Sequence, residues 1–360
     1  MVCQGRKRVS KILPGFLLAL SLAIAGKFLS ELIGINWMGL PKSPISAIMI
    51  AILLGILIRN TITLPEKFQP GIRFGLVRVL RLGIVLLGIR LSLGEVGAIG
   101  LKSLPVIFAA VLAALLIVTY VGRKLGLSGR LGTLIAVGTS ICGATAIVAT
   151  APAIGAHDDE VSYSVACITM FGVIAMLVYP FAAHWMFAAD PFAVGLFLGT
   201  AVHETAQVAG AGLVYQQFYN DPQALDVATV TKLVRNLGML IIIPLMSIVY
   251  HRRSAEAGTA PKWWTMIPLF VVGFAGMSLL RTVGDQGELA FGFIAPDQWH
   301  AIVGYTKKTA EICLAIAMAS VGLGTSIKAL RSIGMKPLAV GLFSALLVGG
   351  VSASLITLLY

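Results

Sequence analysis

Three stretches of this sequence hold residues whose types and spacing could do chemistry, and each lies inside an apolar run. The first is Gly138 to Pro152, which brings Thr139, Ser140, Cys142 and Gly143 close together. Its glycines and proline weaken a helical hydrogen-bond ladder, while the hydroxyls of Thr139, Ser140 and Thr145 can replace lost bonds. The second, Gly199 to Gly212, carries His203, Glu204 and Gln207. Gly199, His203 and Gln207 recur every four residues, so on a continuous helix the imidazole and the amide share a face, with Glu204 turned about 100° away. The third is Val230 to Asn236, where Lys232 and Arg235, three apart, share a helix face. A bare charge deep in a bilayer costs at least about 2.5 to 3.5 kcal/mol, so both cations must face protein, water or an anion. Two cations, hydroxyls and amides freed by broken helices, all at comparable depth, suit a small oxyanion.

Each stretch also has a plainer reading. Gly138 to Pro152 could be a helix packed through small residues. His203 could be a hydrogen-bonded packing residue, and Lys232 and Arg235 could snorkel outwards or pair with Glu204. The sequence His203-Glu-Thr-Ala-Gln207 comes within one residue of the zinc-protease pattern His-Glu-x-x-His, but an amide at the second histidine position is a poor zinc ligand. An intramembrane metalloprotease is therefore the weaker alternative, and neither a metal nor a cofactor is expected.

These residues have to be positioned by membrane-spanning helices. The chain is 58% hydrophobic and 12% charged, and several apolar runs reach the roughly 20 residues that cross a bilayer. The fold class that follows is an all-α polytopic membrane protein, one integral membrane domain over residues 1–360. The lipid bilayer is its first partner. A beta-barrel is excluded by the lack of alternation. The net charge of +12 does not call for nucleic acid, because the basic residues fall in short loops between apolar runs, a pattern that reports orientation. Cys3, Cys142, Cys167 and Cys313 are too dispersed for a disulfide framework or a metal cluster. The basic residues Arg6 to Lys11 and the apolar run after them, which lacks a convincing cleavage site, read as a first helix.

Helices are expected near 12–30, 44–58, 76–93, 103–122, 131–153, 161–187, 191–217, 226–250, 263–283, 309–325 and 337–360, about eleven spans with breaks at mid-membrane in the fifth and seventh. With a cytoplasmic N-terminus the inner loops collect Arg59, Lys67, Arg73, Arg123, Lys124, Arg130, Arg252, Arg253, Lys262, Lys328, Arg331 and Lys336. The segments His157 to Glu160 and Tyr219 to Pro222 then read as outer turns. The polar connection 284–306, with Trp299 and Tyr305 at the interface, also faces out. Arg90 and Arg281 read as anchors near helix ends, and Arg78 and Arg81 as snorkelling residues. An echo between 88–102 and 322–336, which aligns Gly88 with Gly322, Ser92 with Ser326 and Lys102 with Lys336, is what an inverted repeat would leave.

The motifs Gly138 to Ala144 and Val202 to Val208, the Lys232–Arg235 pair, and Gly322 with Lys336-Pro337 resemble the sulfate exporter family of uncharacterised bacterial inner-membrane proteins. Thr205 and Gly210 stand where many of its members have Val and Ala. The resemblance implies a multi-pass protein of the bacterial inner membrane, distantly similar to the sodium/proton antiporter and bile-acid symporter class, with broken helices crossing near the midplane. It also implies export of an inorganic sulfur oxyanion. The expected function is thus a secondary transporter of a small inorganic or organic anion, working by alternating access, with a proton or a sodium ion as candidate coupling ion. A receptor or channel using the same anion pocket is the alternative. The expected substrate-binding residues are Thr139, Ser140, Cys142, Gly143, His203, Glu204, Gln207, Lys232 and Arg235.

Overall fold

The computed structural model describes residues 2–37, 46–188, 190–251, 268–326 and 334–360. Arg252, Arg253, Lys262, Lys328 and Arg331 of the expected inner loops, and 327–333 of the internal echo, lie outside the described residues. The protein is an all-α polytopic membrane protein. Its helices are α1 Val2–Glu31, α2 Ala47–Thr61, α3 Gln69–Phe74, α4 Leu80–Leu87, α5 Leu93–Ala113, α6 Thr119–Lys124, α7 Gly129–Ser140, α8 Ala144–Ile154, α9 Asp158–Met186 and α10 Pro191–Ala201. They continue as α11 Thr205–Tyr219, α12 Gln223–Leu237, α13 Met239–His251, α14 Leu269–Gly284, α15 Pro296–Gly324 and α16 Met335–Leu359. Short wide-turn segments join α3 to α4 and α5 to α6.

The helices gather into two compact units. The first contains α1 to α4, the last turns of α11, α14 and α15. Its core packs Ala19 and Leu22 of α1 against Ala51 of α2, Ile72 of α3, and Ile316, Ala319 and Leu323 of α15. Within it Arg90, read as an anchor near a helix end, turns its side chain inward: it is 7% exposed and faces Glu311 at 3.5 Å, and the same carboxylate accepts from Gln216 at 3.1 Å. Trp299 differs from expectation too. Pro296 opens α15 in the stretch read as an outer loop, so the indole is enclosed on the helix's first turns, 4% exposed, and donates to Asp285 at 2.8 Å.

The second unit takes α5 from Gly97 onward, α6 to α10, α11 as far as Gly212, α12, α13 and α16. Four of its stretches are long and apolar enough to cross a bilayer: Leu93–Lys124, Asp158–Met186, Gln223–Tyr250 and Met335–Leu359. Side chains such as Leu101, Phe108, Ile241 and Leu346 on these helices stand more than half exposed, an apolar surface suited to hydrocarbon.

The other two stretches of this unit are helical as expected but double back instead of crossing. Were 129–154 one rod, Ser128 and Glu160 would lie about 45 Å apart. In fact the Ser128 hydroxyl donates to the Glu160 carboxylate, and Arg130 meets His157 at 3.2 Å. Ile147 of α8 lies against Gly138 of α7, and Leu131, Leu134, Ile135, Ile147, Ala151 and Ile154 share one core, so α7 and α8 form a hairpin. The segment 191–219 behaves alike. Gly195 and Gly199 of α10 meet Val227 and Thr231 of α12, so α10 and α12 run parallel. Thr205 bonds Asn236 while Gly212 meets Leu225, so α11 and α12 run antiparallel. Helices α10 and α11 therefore form a second hairpin.

The first hairpin opens at the end of the unit that holds Lys124, Tyr250 and Lys336. The second opens at the opposite end, with Lys102, Phe192 and Tyr360. This moves His157 to Glu160 to the side of Arg130, where they cap α9 rather than forming a turn on the opposite face, and it leaves the basic bias of the described loops intact. The reversal follows from length: α7 and α8 have 12 and 11 residues, each about half a bilayer, and the break between them turns the chain back.

This topology yields a direct prediction. In a background without native cysteines, single cysteines replacing Ser128 and Asp159 should react with a membrane-impermeant thiol reagent from the same face of oriented vesicles; labelling from opposite faces would contradict the hairpin.

Candidate functional site

Both hairpin tips lie in the second unit, and the breaks have local causes. Helix α7 starts at Ser128, whose hydroxyl accepts from Leu131 N at 3.1 Å, and stops where Ile141 adopts φ −123° and ψ −96°. Gly143 then takes φ 69° and ψ −127°, a backbone state that a side chain makes costly, and a Cβ there would collide with Cγ of Glu204. Helix α8 starts at once, at Ala144. In the second hairpin Val202 turns extended at φ −82° and ψ 139°, which ends α10, and α11 starts at Thr205. His203 and Glu204 thus sit in the break itself. The four-residue spacing of Gly199, His203 and Gln207 does not make one helical face, because no helix passes through His203.

Each tip places a C-terminal helix end beside an N-terminal one, so unpaired carbonyls and amides both arrive at mid-depth. The carbonyls are met by α12. Gly199 lets α10 approach so closely that a Cβ there would lie 2.6 Å from Cβ of Thr231, which sets the next residue, Lys232, beneath the tips. Lys232 Nζ donates to the carbonyls of Ile141 and Val202, each at 2.9 Å, and of His203. Three acceptors call for three N–H donors, the full complement of an ammonium. One turn on, Arg235 donates through Nε to Ser140 O at 2.8 Å and through its two terminal nitrogens to Thr200 O and Thr139 O. Both side chains are fully enclosed, at 0% and 1% exposure, so neither snorkels. A cation at a helix C-terminus is also favoured by the helix dipole.

Glu204 does not pair with Arg235, against one of the plainer readings. Its Oε1 accepts from Thr169 Oγ1 of α9 at 3.0 Å and from Ala144 N at 3.4 Å, so the carboxylate of the second tip sits at the N-terminus of α8. Gln207 braces the same turn: Nε2 donates to Thr169 O at 3.0 Å, and Oε1 accepts from Glu204 N at 3.2 Å. Its amide packs flat against Gly172, which leaves no room for a side chain at that position. His203 is wholly buried, and among the described residues neither ring nitrogen has a hydrogen-bond partner. Glu204, Thr169 and Thr205 are partly exposed and Thr145 more so, which marks the open side of the tips.

The nine residues picked out from sequence all converge on the tips through their backbone or side chain, but not always by the expected atoms. Thr139 and Ser140 contribute carbonyls. Their hydroxyls bond Ser344 Oγ at 3.1 Å and Val137 O at 3.0 Å. Cys142, 7% exposed, turns its sulfur to Met239 at 3.5 Å within an apolar cluster of Val137, Ala146, Ile242 and Ile243. Thr169, Gly172 and Asn236 complete the arrangement and were missed. A single threonine or glycine in a long apolar helix carries no signal of its own. Asn236, whose Oδ1 is buried without a partner among the described residues, directly follows Arg235 and was the readable one.

Comparison with known proteins places the chain in a family. Residues 14–341 match the family model described as Conserved hypothetical protein 698. A UPF0324 membrane protein of Fusobacterium nucleatum is 33% identical over 331 residues, which is 91% of this chain and 91% of the relative. UPF0324 membrane proteins of Chlorobaculum tepidum and Streptococcus agalactiae are each 31% identical. They cover 94% and 91% of this chain, and 87% and 92% of their own lengths.

The tip geometry predicts an asymmetry between glycines. Gly143→Ala combines backbone strain with overpacking against Glu204 and should cost roughly 2 to 5 kcal/mol in thermal or denaturant unfolding. Gly97→Ala, on α5 with open space around it, should be neutral or stabilising by up to about 1 kcal/mol. Equal effects would contradict the close approach at Gly143.

Proposed function

The chain belongs to the UPF0324 family of membrane proteins, and we propose that it is a secondary transporter, not an enzyme, which carries a small anion across the bacterial inner membrane by alternating access. The observation that carries this reading is the meeting of two opposed hairpin tips around the enclosed cations Lys232 and Arg235. Non-helical backbone at mid-depth is tolerated where it lines a solute path. Around the tips two cations stand against one carboxylate, and the paired helix ends offset each other, since each contributes about half a charge of either sign. The net charge is positive, as an anion site requires.

In this reading Lys232 and Arg235 act through their field and by holding the carbonyls away, since all three N–H groups of Lys232 and three of the five of Arg235 already have acceptors. The anion is held by the amides at the starts of α8 and α11, by the hydroxyls of Thr145, Thr169 and Thr205, and by the imidazole of His203, whose nitrogens lack partners. Gly143 keeps that approach open, Gln207 fixes the turn, and Thr139, Ser140 and Cys142 shape the first tip. The substrate class is sulfate, sulfite or a related sulfur oxyanion. Glu204 holds the amide end of α8 when the site is empty, and its protonation vacates that end for substrate and raises the net charge, which makes a proton the coupling ion. The basic residues Arg123, Lys124, Arg130 and Lys336 at one end of the second unit support a cytoplasmic N-terminus.

The test is counterflow of labelled sulfate and sulfite in proteoliposomes. Wild type should show saturable exchange, and an imposed gradient of one pH unit should change steady-state accumulation by up to about tenfold for one coupled proton. Glu204→Gln should exchange without responding to pH. Wild-type flux that ignores the gradient would remove proton coupling, and linear, unsaturable flux would favour a channel.

A further inference from the structure

The surroundings of Lys232 differ in kind from those of an ordinary buried ion pair. The ammonium touches three main-chain carbonyls, Ile141 and Val202 at 2.9 Å and His203, all from the unwound tips of the two hairpins. Converging carbonyls freed from a helical ladder are the ligands with which membrane proteins replace the hydration shell of a monovalent cation. Arg235 is the contrast, because its planar fork spreads across Thr139, Ser140 and Thr200 and its three bonds do not meet at a point. Among the described residues no carboxylate oxygen bonds Lys232: Glu204 Oε1 is bonded to Thr169 and Ala144 and reaches the ammonium only through its field.

We propose that the carbonyl cage formed by Ile141, Val202 and His203 is a monovalent-cation site that the chain fills with its own Lys232 ammonium. The folded protein then takes no alkali-metal ion there, and truncating Lys232 opens the cage to one. The tether has a physical advantage over a free ion. A covalently attached charge cannot dissociate, so the two tips stay joined at any external sodium or potassium concentration, whereas an ion-filled cage would open as the ion is diluted. The inference goes beyond the transport reading and does not depend on it, because the cage is defined by main-chain atoms and its occupancy can be measured on purified protein without any flux.

The experiment is thermal unfolding of purified wild type, Lys232→Ala and Lys232→Met in sodium chloride, potassium chloride and choline chloride at equal ionic strength. Wild type should unfold at one temperature in all three salts. Lys232→Ala should unfold at a lower temperature in choline chloride and recover by roughly 3 °C or more in sodium or potassium chloride, as binding to the native state alone requires. Lys232→Met, whose stem fills the space without a charge, should lose stability and recover none of it. A folded Lys232→Ala that unfolds alike in the three salts would overturn the proposal, as would equal recovery by Lys232→Met. If Lys232→Ala does not accumulate in choline chloride, its recovery on solubilisation in sodium or potassium chloride decides: folded protein only in the alkali salts supports the cage, and equal loss in all three would overturn it, as would an alkali-specific rise in wild type.

Discussion

The capture of freed carbonyls by Lys232 and Arg235 is the interaction on which the second unit depends. Breaking a helix at mid-depth strands carbonyls where water is scarce, at a cost of several kcal/mol for each one left unmatched in hydrocarbon. Here two tips break at once, and one helix supplies charged donors to both, three bonds from each side chain. The reverse also holds, because two buried cations would be intolerable without those carbonyls. Tips and cations are therefore conditions for one another, and a change on either side strands groups on the other.

Small residues make this mutual arrangement possible. Gly195 and Gly199 let α10 lie against α12, Gly172 receives the amide of Gln207, and Gly143 gives Glu204 its path to the start of α8. The result is an inversion of roles at the tips: side-chain cations serve the carbonyl ends, and a side-chain carboxylate serves an amide end. Charge is thus distributed to suit each helix terminus, with a positive remainder.

Much of this was legible in the sequence, and for physical reasons. Apolar length marked most helical stretches, though neither α3 nor the first turns of α15, and Gly138, Gly143 and Pro152 marked a break that falls at Ile141 to Gly143. Lys232 and Arg235 were conspicuous because charge in an apolar run needs a partner. The reversal at each break was not legible, because a run of some 25 apolar residues has the same composition whether it crosses or returns. What decides is the pairing of distant residues, such as Ile147 against Gly138 and Gly212 against Leu225, and composition does not encode it. Nor could spacing foresee that hydroxyls at Thr139 and Ser140 would yield to their own carbonyls, since every residue carries the same backbone acceptor. The misplaced helical face through His203 has the same root: a periodicity argument assumes a helix where the chain had none.

If the open side of the tips binds a small anion, Thr145 is the residue from which to test it. It is exposed, lies on the first turn of α8 beside Ala144, and carries a short side chain that a cysteine replaces closely. In a variant lacking the native cysteines, the rate at which Thr145→Cys reacts with a small charged thiol reagent can be followed in sulfate, methanesulfonate, acetate and gluconate. At least one of the three small anions should slow this reaction relative to gluconate in a saturable way, while Val148→Cys, an exposed position farther along the same helix, should react at one rate throughout. A Thr145→Cys that reacts at the same rate in all four anions would contradict an anion site at the hairpin tips.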